Sequence, residues 1–193
     1  MDNAVLLREW FDRVDAGRTG NITAPQLQSA LAVGNLNISL SVVQQMISSI
    51  GTGFGACRMY DFDGNGTMSF EEFLALNKFL QKVQSAFCAL ESFLVNFRGR
   101  GFLTLEEVYE ALIKLGFSLD SPAFYTVCEL RLGSEAPSFD KSKKGMVHLD
   151  EFISLCIFVQ SARNLFNSFD TSKQGRVTLD FNQFIYCTAN CRI

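Results

Sequence analysis

The sequence lacks the features of a secreted, membrane-spanning or nucleic-acid-binding chain. No apolar run reaches the roughly 18 residues of a membrane span. The opening MDNAVLLREW has no basic segment of the kind that begins a signal peptide, and Asp2 stands where N-myristoylation requires glycine. The net charge is −3 and no basic run occurs, which argues against a nucleic-acid partner. We therefore expect a cytoplasmic protein.

Catalytic features are also scarce. The chain has one histidine, His148, and neither a nucleophile–base pair nor a phosphate-binding loop is recognisable, so we expect no enzymatic activity. Cys187 and Cys191 are four residues apart and could share a helix face as a metal or acylation site. No cysteine pair has the Cys-x-x-Cys spacing, which instead favours reduced, mostly buried thiols at Cys57, Cys88, Cys128, Cys156, Cys187 and Cys191.

A repeat dominates what is present. An Asp or Asn is followed by Gly five residues later and by an aliphatic residue or Met two residues after that, at five places starting at Asp15, Asp61, Asn96, Asp140 and Asp170. Apolar residues spaced by three and four on both sides predict amphipathic helices. The sequence therefore predicts an all-α fold, with helix-loop-helix units at about 3–32, 39–80, 81–115, 121–160 and 159–190 of one domain spanning 1–193.

Two long helices are expected to connect neighbouring units. No Gly or Pro interrupts residues 70–95, which predicts one helix leaving the second loop and entering the third, and residues 149–169 show the same pattern. Pro25 and Pro122 suit the first turn of a helix. Gly- or Pro-rich insertions near 50–56 and 132–139 should break or shorten the helices that enter the second and fourth loops.

The second loop carries a complete set of oxygen ligands for calcium. Calcium takes six to eight oxygens, and a twelve-residue loop supplies them from positions 1, 3, 5, 7, 9 and 12, with glycine turning the chain at position 6. Gly66 provides that turn here. The motif D-x-[DN]-x-[DN]-G-x5-E is matched in full, and the predicted ligands are Asp61, Asp63, Asn65, Thr67 through its carbonyl, Ser69 and Glu72.

The first and fourth loops keep only part of this set. The first has Gly17 at position 3 and Gln26 at position 12, where glutamine offers one neutral oxygen in place of two charged ones. The fourth has Lys144 at position 5, where an ammonium competes for the place of the ion. Weak metal binding is the most that we expect from their remaining ligands, which are Asp15, Thr19, Asp140, Ser142 and Glu151.

The third and fifth loops are predicted to bind no metal. Arg98 and Arg100 occupy ligand positions of the third loop, and one of them is expected to pair with Glu107 and fold the loop without an ion. The fifth loop has Phe181 at position 12. Position 8 stays apolar in all five loops because paired loops should meet there in a short antiparallel ladder, at Ile22, Met68, Leu103, Val147 and Val177.

Five such units joined by two long helices resemble the penta-EF-hand family. The stretches EWFDRVDAGRTGNIT and FDTSKQGRVTLDFNQFIYC resemble the first and fifth hands of that family. The resemblance implies that hands one and two pair, that hands three and four pair, and that the fifth hand pairs with its copy in a second subunit through Val177, Phe181 and Phe184. Family members commonly bind calcium in hands one and three, whereas here hand two is intact, so the calcium stoichiometry of the family does not transfer.

These observations favour a calcium sensor or adaptor, in which Ca²⁺ at residues 61–72 controls an apolar partner-binding surface. The expected partners are a second subunit in a homodimer or heterodimer and a protein or peptide target, proline-rich segments included. Calcium-dependent membrane association is a further expectation. Mg²⁺ could occupy the loop at rest. The alternative is a constitutive regulatory subunit of a larger enzyme, in which calcium has a structural role.

Overall fold

The computed structural model describes residues 3–47, 60–61, 63–91, 100–132 and 145–191. Eight α-helices and one two-stranded sheet account for the regular structure of these residues. The predicted all-α class is therefore confirmed. The insertion predicted near 50–56, and the one near 132–139 apart from Leu132, lie outside the described residues.

The helices begin and end close to where the apolar periodicity places them. The predicted helix at 149–169 is α7 with the same bounds, and the predicted long helix from Phe70 is described as far as Glu91. No described helix combines the length and apolar character that crossing a membrane requires. In chain order the elements are α1 (Asn3–Val14), β1 (Asn21–Ile22), α2 (Ala24–Val33), α3 (Leu40–Ile47), β2 (Met68–Ser69), α4 (Phe70–Glu91), α5 (Leu105–Lys114), α6 (Ser121–Leu132), α7 (Leu149–Phe169) and α8 (Phe181–Cys191).

The helices that leave loops one to four are capped by side chains of the loop itself. In hand three the Thr104 hydroxyl accepts from the Glu107 N–H at 3.3 Å, and the Glu107 carboxylate accepts from the Thr104 N–H at 2.8 Å. This reciprocal capping box satisfies two N–H groups that the helix leaves unpaired. In hands one, two and four as well, the backbone N–H of position 9 donates to the side-chain oxygen of position 12. Position 12 therefore has a folding role in addition to the ligand role predicted for it.

The loops pair through the apolar residue at position 8. β1 and β2 are antiparallel, with Ile22 opposite Met68, and both side chains are fully buried. Leu103 and Val147 exchange two backbone hydrogen bonds of 2.8 Å each. These contacts confirm the predicted pairing of loop one with loop two and of loop three with loop four.

The chain divides into two compact units. The first unit comprises Met1–Asn77 with Ile157–Ile193, and the second comprises Lys78–Cys156, so both boundaries fall inside long helices. Each unit has its own buried apolar side chains, among them Phe11, Leu27 and Leu76 in the first and Leu112, Phe124 and Phe152 in the second. Phe87 and Phe152 pack at 5.8 Å between ring centroids within the second unit.

The prediction of mostly buried thiols is confirmed only in part, because Cys88 is exposed. Cys128 and Cys156 are buried and free of disulfide bonds. Burial raises the pKa of Cys128 to about 11 and that of Cys156 further, so both are unreactive thiols at neutral pH. Cys187 is half-buried, and the side chain of Cys191 lies outside the described residues, so the alternative metal or acylation site there stays a prediction.

Candidate metal centre

Loop two brings three carboxylates to one point. Asp61 and Glu72 are each 2% exposed, Asp63 is exposed, and one oxygen from each of the three lies within 4.8 Å of the others. Within the described ranges, no other group of three acidic, cysteine or histidine side chains is arranged in this way. The residues come from the two ends of the loop, because the chain doubles back between them.

That reversal is produced by glycines and by the Asp61 side chain. The Asp61 carboxylate accepts hydrogen bonds from the backbone N–H groups of Gly64 (2.6 Å), Asn65 (3.0 Å) and Gly66 (3.1 Å). Gly64 and Gly66 both have φ of 75°, a left-handed conformation that side chains with a Cβ adopt only at a cost. Asp61 therefore orders the loop through its own hydrogen bonds, independently of any ion.

The neutral ligands predicted for loop two are hydrogen-bonded to its acidic ones or to each other. Asn65 Nδ2 donates to Asp63 Oδ2 at 2.7 Å, and both the N–H and the hydroxyl of Thr67 donate to Asn65 Oδ1. Ser69 donates to Glu72 Oε2 from its N–H at 2.7 Å and from its hydroxyl at 2.8 Å. All six predicted ligands thus take part in hydrogen bonds within the loop, and its three carboxylates converge.

The charges of this cluster fit a divalent cation. Two like charges at this separation repel by roughly 3 kcal/mol at an effective dielectric constant of about 20, and somewhat less where one group is exposed. Among the described residues neither Asp61 nor Asp63 forms an ion pair that would offset the repulsion. All the donors are oxygens, the donor type that Ca²⁺ and Mg²⁺ prefer. The residues present therefore fit a hard divalent ion.

Position 1 keeps its aspartate in loops one and five for a reason unrelated to metal. Asp15 accepts from Gly20 N at 2.7 Å and from both the N–H and the hydroxyl of Thr19 at 3.0 Å. The Thr19 N–H, aided by the other two donors, holds the pKa of Asp15 below its ordinary value despite burial. Asp170 likewise accepts from the N–H groups of Gln174 and Gly175. The aspartate closes the loop in all three hands.

The Gln26 side chain joins the two ends of loop one by hydrogen bonds. Gln26 Nε2 donates to the Val14 carbonyl at 3.2 Å, and Gln26 Oε1 accepts from the Thr23 N–H at 2.8 Å. The amide thereby links the start of α2 to the last residue of α1. Of the predicted weak ligands, Asp15 and Thr19 are hydrogen-bonded to each other, but among the described residues Asp15 belongs to no group of three acidic, cysteine or histidine side chains.

Loop three contains its own cation. The predicted pairing with Glu107 is confirmed for Arg100, whose Nη2 lies 2.5 Å from Glu107 Oε1, with about a fifth of each side chain exposed. The guanidinium also lies 5.2 Å from the centroid of the Phe102 ring. Burial raises the pKa of Glu107, but the Thr104 N–H and the Arg100 guanidinium lower it by more, so it stays below its ordinary value. Arg98 lies outside the described residues.

Loop four is described only from Gly145 onward. Its Glu151 accepts from the His148 N–H at 2.8 Å, as position 12 does in the other hands. His148 Nδ1 lies 2.8 Å from the Gly101 carbonyl, so this nitrogen donates and joins loops three and four. Asp140 and Ser142 lie outside the described residues, and the weak site predicted there stays a prediction.

The fifth hand differs in where its second helix begins. α8 starts at position 12 of the loop, whereas the corresponding helices of the other four hands start at position 10. Its cap consists of Asp180 and Gln183, which hydrogen-bond reciprocally at 2.9 and 3.0 Å. This cap was not predicted, although Asp180 and Gln183 have the spacing of a capping box. The shift leaves Phe181 75% exposed and Phe184 54% exposed, while Val177 is half-buried.

Relatives of known family agree with the helix-loop-helix architecture described above. No protein-family model matches the chain. Sorcin from Schistosoma japonicum is 32% identical over 180 residues, which cover 93% of this chain and 91% of that protein. Penta-EF hand domain-containing protein 2 from Dictyostelium discoideum is 30% identical over 177 residues, covering 92% and 74% of the two chains. The chain belongs to the penta-EF-hand family.

A solved structure supports the same assignment. A homolog of programmed cell death 6 protein from Leishmania major Friedlin aligns with a TM-score of 0.61 and 28% identity, covering 96% of this chain and 89% of that one. Family membership confirms the predicted EF-hand repeat fold of a calcium-binding family. In this penta-EF-hand chain, loop two matches the calcium-loop motif in full, whereas loops one and three contain hydrogen bonds or ion pairs made by Gln26 and Arg100.

Proposed function

We propose that this penta-EF-hand protein binds Ca²⁺ in loop two and acts as a calcium sensor or adaptor. The observation that carries the proposal is the convergence of Asp61, Asp63 and Glu72, whose ligand oxygens lie within 4.8 Å of one another. Asn65, Ser69 and the Thr67 carbonyl would complete the set. A bound ion would neutralise the repulsion between the three carboxylates, and Mg²⁺ could take its place at resting calcium levels.

In a sensor, α4 would be the helix that changes position when loop two binds its ion. Glu72 lies in the first turn of α4, and a bidentate role at position 12 uses both of its carboxylate oxygens. One of these, Oε2, now accepts two hydrogen bonds from Ser69. Ion binding therefore competes with the helix cap. Sensor EF-hands that respond in this way expose an apolar groove, which here would bind a protein or peptide, proline-rich segments included, or a membrane surface.

A calcium titration tests this proposal. Calorimetry of the purified chain should show binding, and the fluorescence of an apolar dye and retention on a phenyl resin should rise over the same calcium range. Absence of binding would show that loop two is not a calcium site. Binding without any change in dye fluorescence or resin retention would overturn the sensor mechanism and favour calcium with a structural role.

The alternative is a constitutive regulatory subunit, and the surface of α8 favours an obligate partner. Phe181, Phe184 and Ile185 are 75%, 54% and 48% exposed. Large aromatic side chains are seldom left this exposed in a monomer, and they are enriched at interfaces. We propose that the fifth hand pairs with a second subunit through this surface and Val177. Dimerisation suits either function, since a sensor can also be a dimer.

Replacing both Phe181 and Phe184 with serine should weaken self-association at least about tenfold, because two aromatic anchors are lost. The fold should be retained, since both rings are exposed in the single chain. Sedimentation equilibrium at low and high calcium measures the effect. Val33→Ser, at a side chain that is 86% exposed on α2, is the matched control, and the mass of its assembly in solution should equal that of the wild type. A wild-type chain that stays monomeric under both conditions would exclude the homodimer and leave a heterodimer.

A further inference from the structure

Side chains of α1 in hand one pack against the first turn of α4, the helix that leaves loop two. Trp10 stacks on Phe73 with ring centroids 4.8 Å apart and an interplanar angle of 10°. Phe11 packs edge-on against Phe70 at 5.5 Å and also contacts Phe73 at 5.8 Å. The Arg8 guanidinium lies 4.7 Å from the centroid of the Phe70 ring. We call these five residues the aromatic clamp.

Two residues of the clamp flank the position-12 ligand of loop two along α4. Phe70 and Phe73 lie two residues before and one residue after Glu72, all within the first turn of α4. Backbone hydrogen bonds make a helical turn move as one piece. A displacement of the backbone at Glu72 therefore displaces both phenylalanine rings. Phe11 and Phe73 are 1% and 5% exposed, and close-packed rings transmit displacement because they have no free volume to absorb it.

Hand one is internally fixed, so it can follow such a displacement without deforming its own loop. Gln26 links the start of α2 to the end of α1, and Asp15 accepts three hydrogen bonds within the loop. These hydrogen bonds hold the end of α1 to the start of α2. The only described aromatic contacts through α1 are those to the first turn of α4.

We propose that hand one is the receiver of the calcium signal from hand two: α1 is displaced with α4 through the aromatic clamp when loop two binds its ion. This inference rests on the proposed calcium site and adds to it the path that the signal takes. It assigns a function to a hand whose own ligand set is incomplete. It also makes Trp10, the single tryptophan of the chain, an internal reporter of loop two.

The full-length chain allows a direct test with Ca²⁺ as the probe. Trp10 emission should change with the same midpoint as the calorimetric titration, and amide exchange across α1 should change with it. Glu72→Gln should shift the emission midpoint to higher calcium in parallel with the loss of affinity. Phe73→Leu removes the stacked ring but none of the ligands, and it should abolish at least half of the emission change while loop two still binds.

Two controls keep the outcomes apart. Phe124→Leu removes a ring of the same size from a buried site in the second unit, 3% exposed, and should leave the Trp10 response intact. If Phe73→Leu does not fold, Arg8→Gln removes one exposed contact of the clamp and should reduce the response. Calorimetric binding with unchanged Trp10 emission and unchanged α1 exchange would overturn the receiver role alone. No calorimetric binding would overturn the proposed calcium site and the receiver role with it.

Discussion

Replacing Glu72 with glutamine should lower the calcium affinity of the protein at least about tenfold, or about 1.4 kcal/mol. Glutamine offers one neutral oxygen where the bidentate carboxylate offers two charged ones. The fold should be unaffected, because hand one already has glutamine at this position. There, Gln26 Oε1 accepts from the Thr23 N–H at 2.8 Å, just as Glu72 Oε2 accepts from the Ser69 N–H. The substitution thus separates the ligand role of position 12 from its capping role.

Calorimetric titration and thermal unfolding without calcium measure the two roles separately. The melting temperature of the calcium-free Glu72→Gln variant should equal or exceed that of the wild type, because one of three repelling charges is removed. Glu151→Gln, at the same position of loop four, is the matched control and should leave the main binding phase intact. Full-strength binding in Glu72→Gln together with its loss in Glu151→Gln would place the principal site in loop four.

The parts of the fold that the sequence predicts are those set by local chemistry. Uninterrupted apolar periodicity was enough to predict α7 with its observed bounds, because the periodic stretch begins and ends where the helix does. The apolar residue at position 8 predicted where paired loops meet, and the family resemblance implied which loops pair, as found for Ile22–Met68 and Leu103–Val147. Loop two was predictable because every ligand type stands at a fixed spacing within twelve residues, and the structure brings its three carboxylates together.

The unpredicted parts depend on contacts between distant residues or on competition between near ones. The stacking of Trp10 on Phe73 joins residues far apart in the chain, and an apolar pattern does not specify which rings meet. The link from Gln26 to Val14 required knowing where an amide points once its oxygen caps α2. In hand five, counting from Asp170 placed position 12 at Phe181, but the competing cap formed by Asp180 and Gln183 sets the start of α8.

Replacing Arg100 with alanine should destabilise the protein by about 2 kcal/mol, with or without calcium. The pair with Glu107 is about a fifth exposed, between the surface pairs that contribute at most about 1 kcal/mol and the buried pairs whose disruption costs about 3–5. Denaturant unfolding in chelator and in calcium measures the loss. Asp12→Ala is the matched control, since its pair with Arg8 is more than half exposed and should contribute less than about 1 kcal/mol. Restoration of wild-type stability by calcium would show that loop three accepts an ion in place of the guanidinium.

Acid titration distinguishes the charge of Arg100 from its bulk. The folded pKa of Glu107 is lowered, so its ionised form contributes stability that is present above its ordinary pKa of 4.5 and is lost as the pH falls through the lower folded value. Without the guanidinium, the folded pKa of Glu107 moves back toward that ordinary value. The Arg100→Ala chain should therefore lose less stability than the wild type between neutral and acid pH. If both chains lost the same amount, Arg100 would stabilise loop three through its contact with Phe102 and not as a substitute for a metal ion.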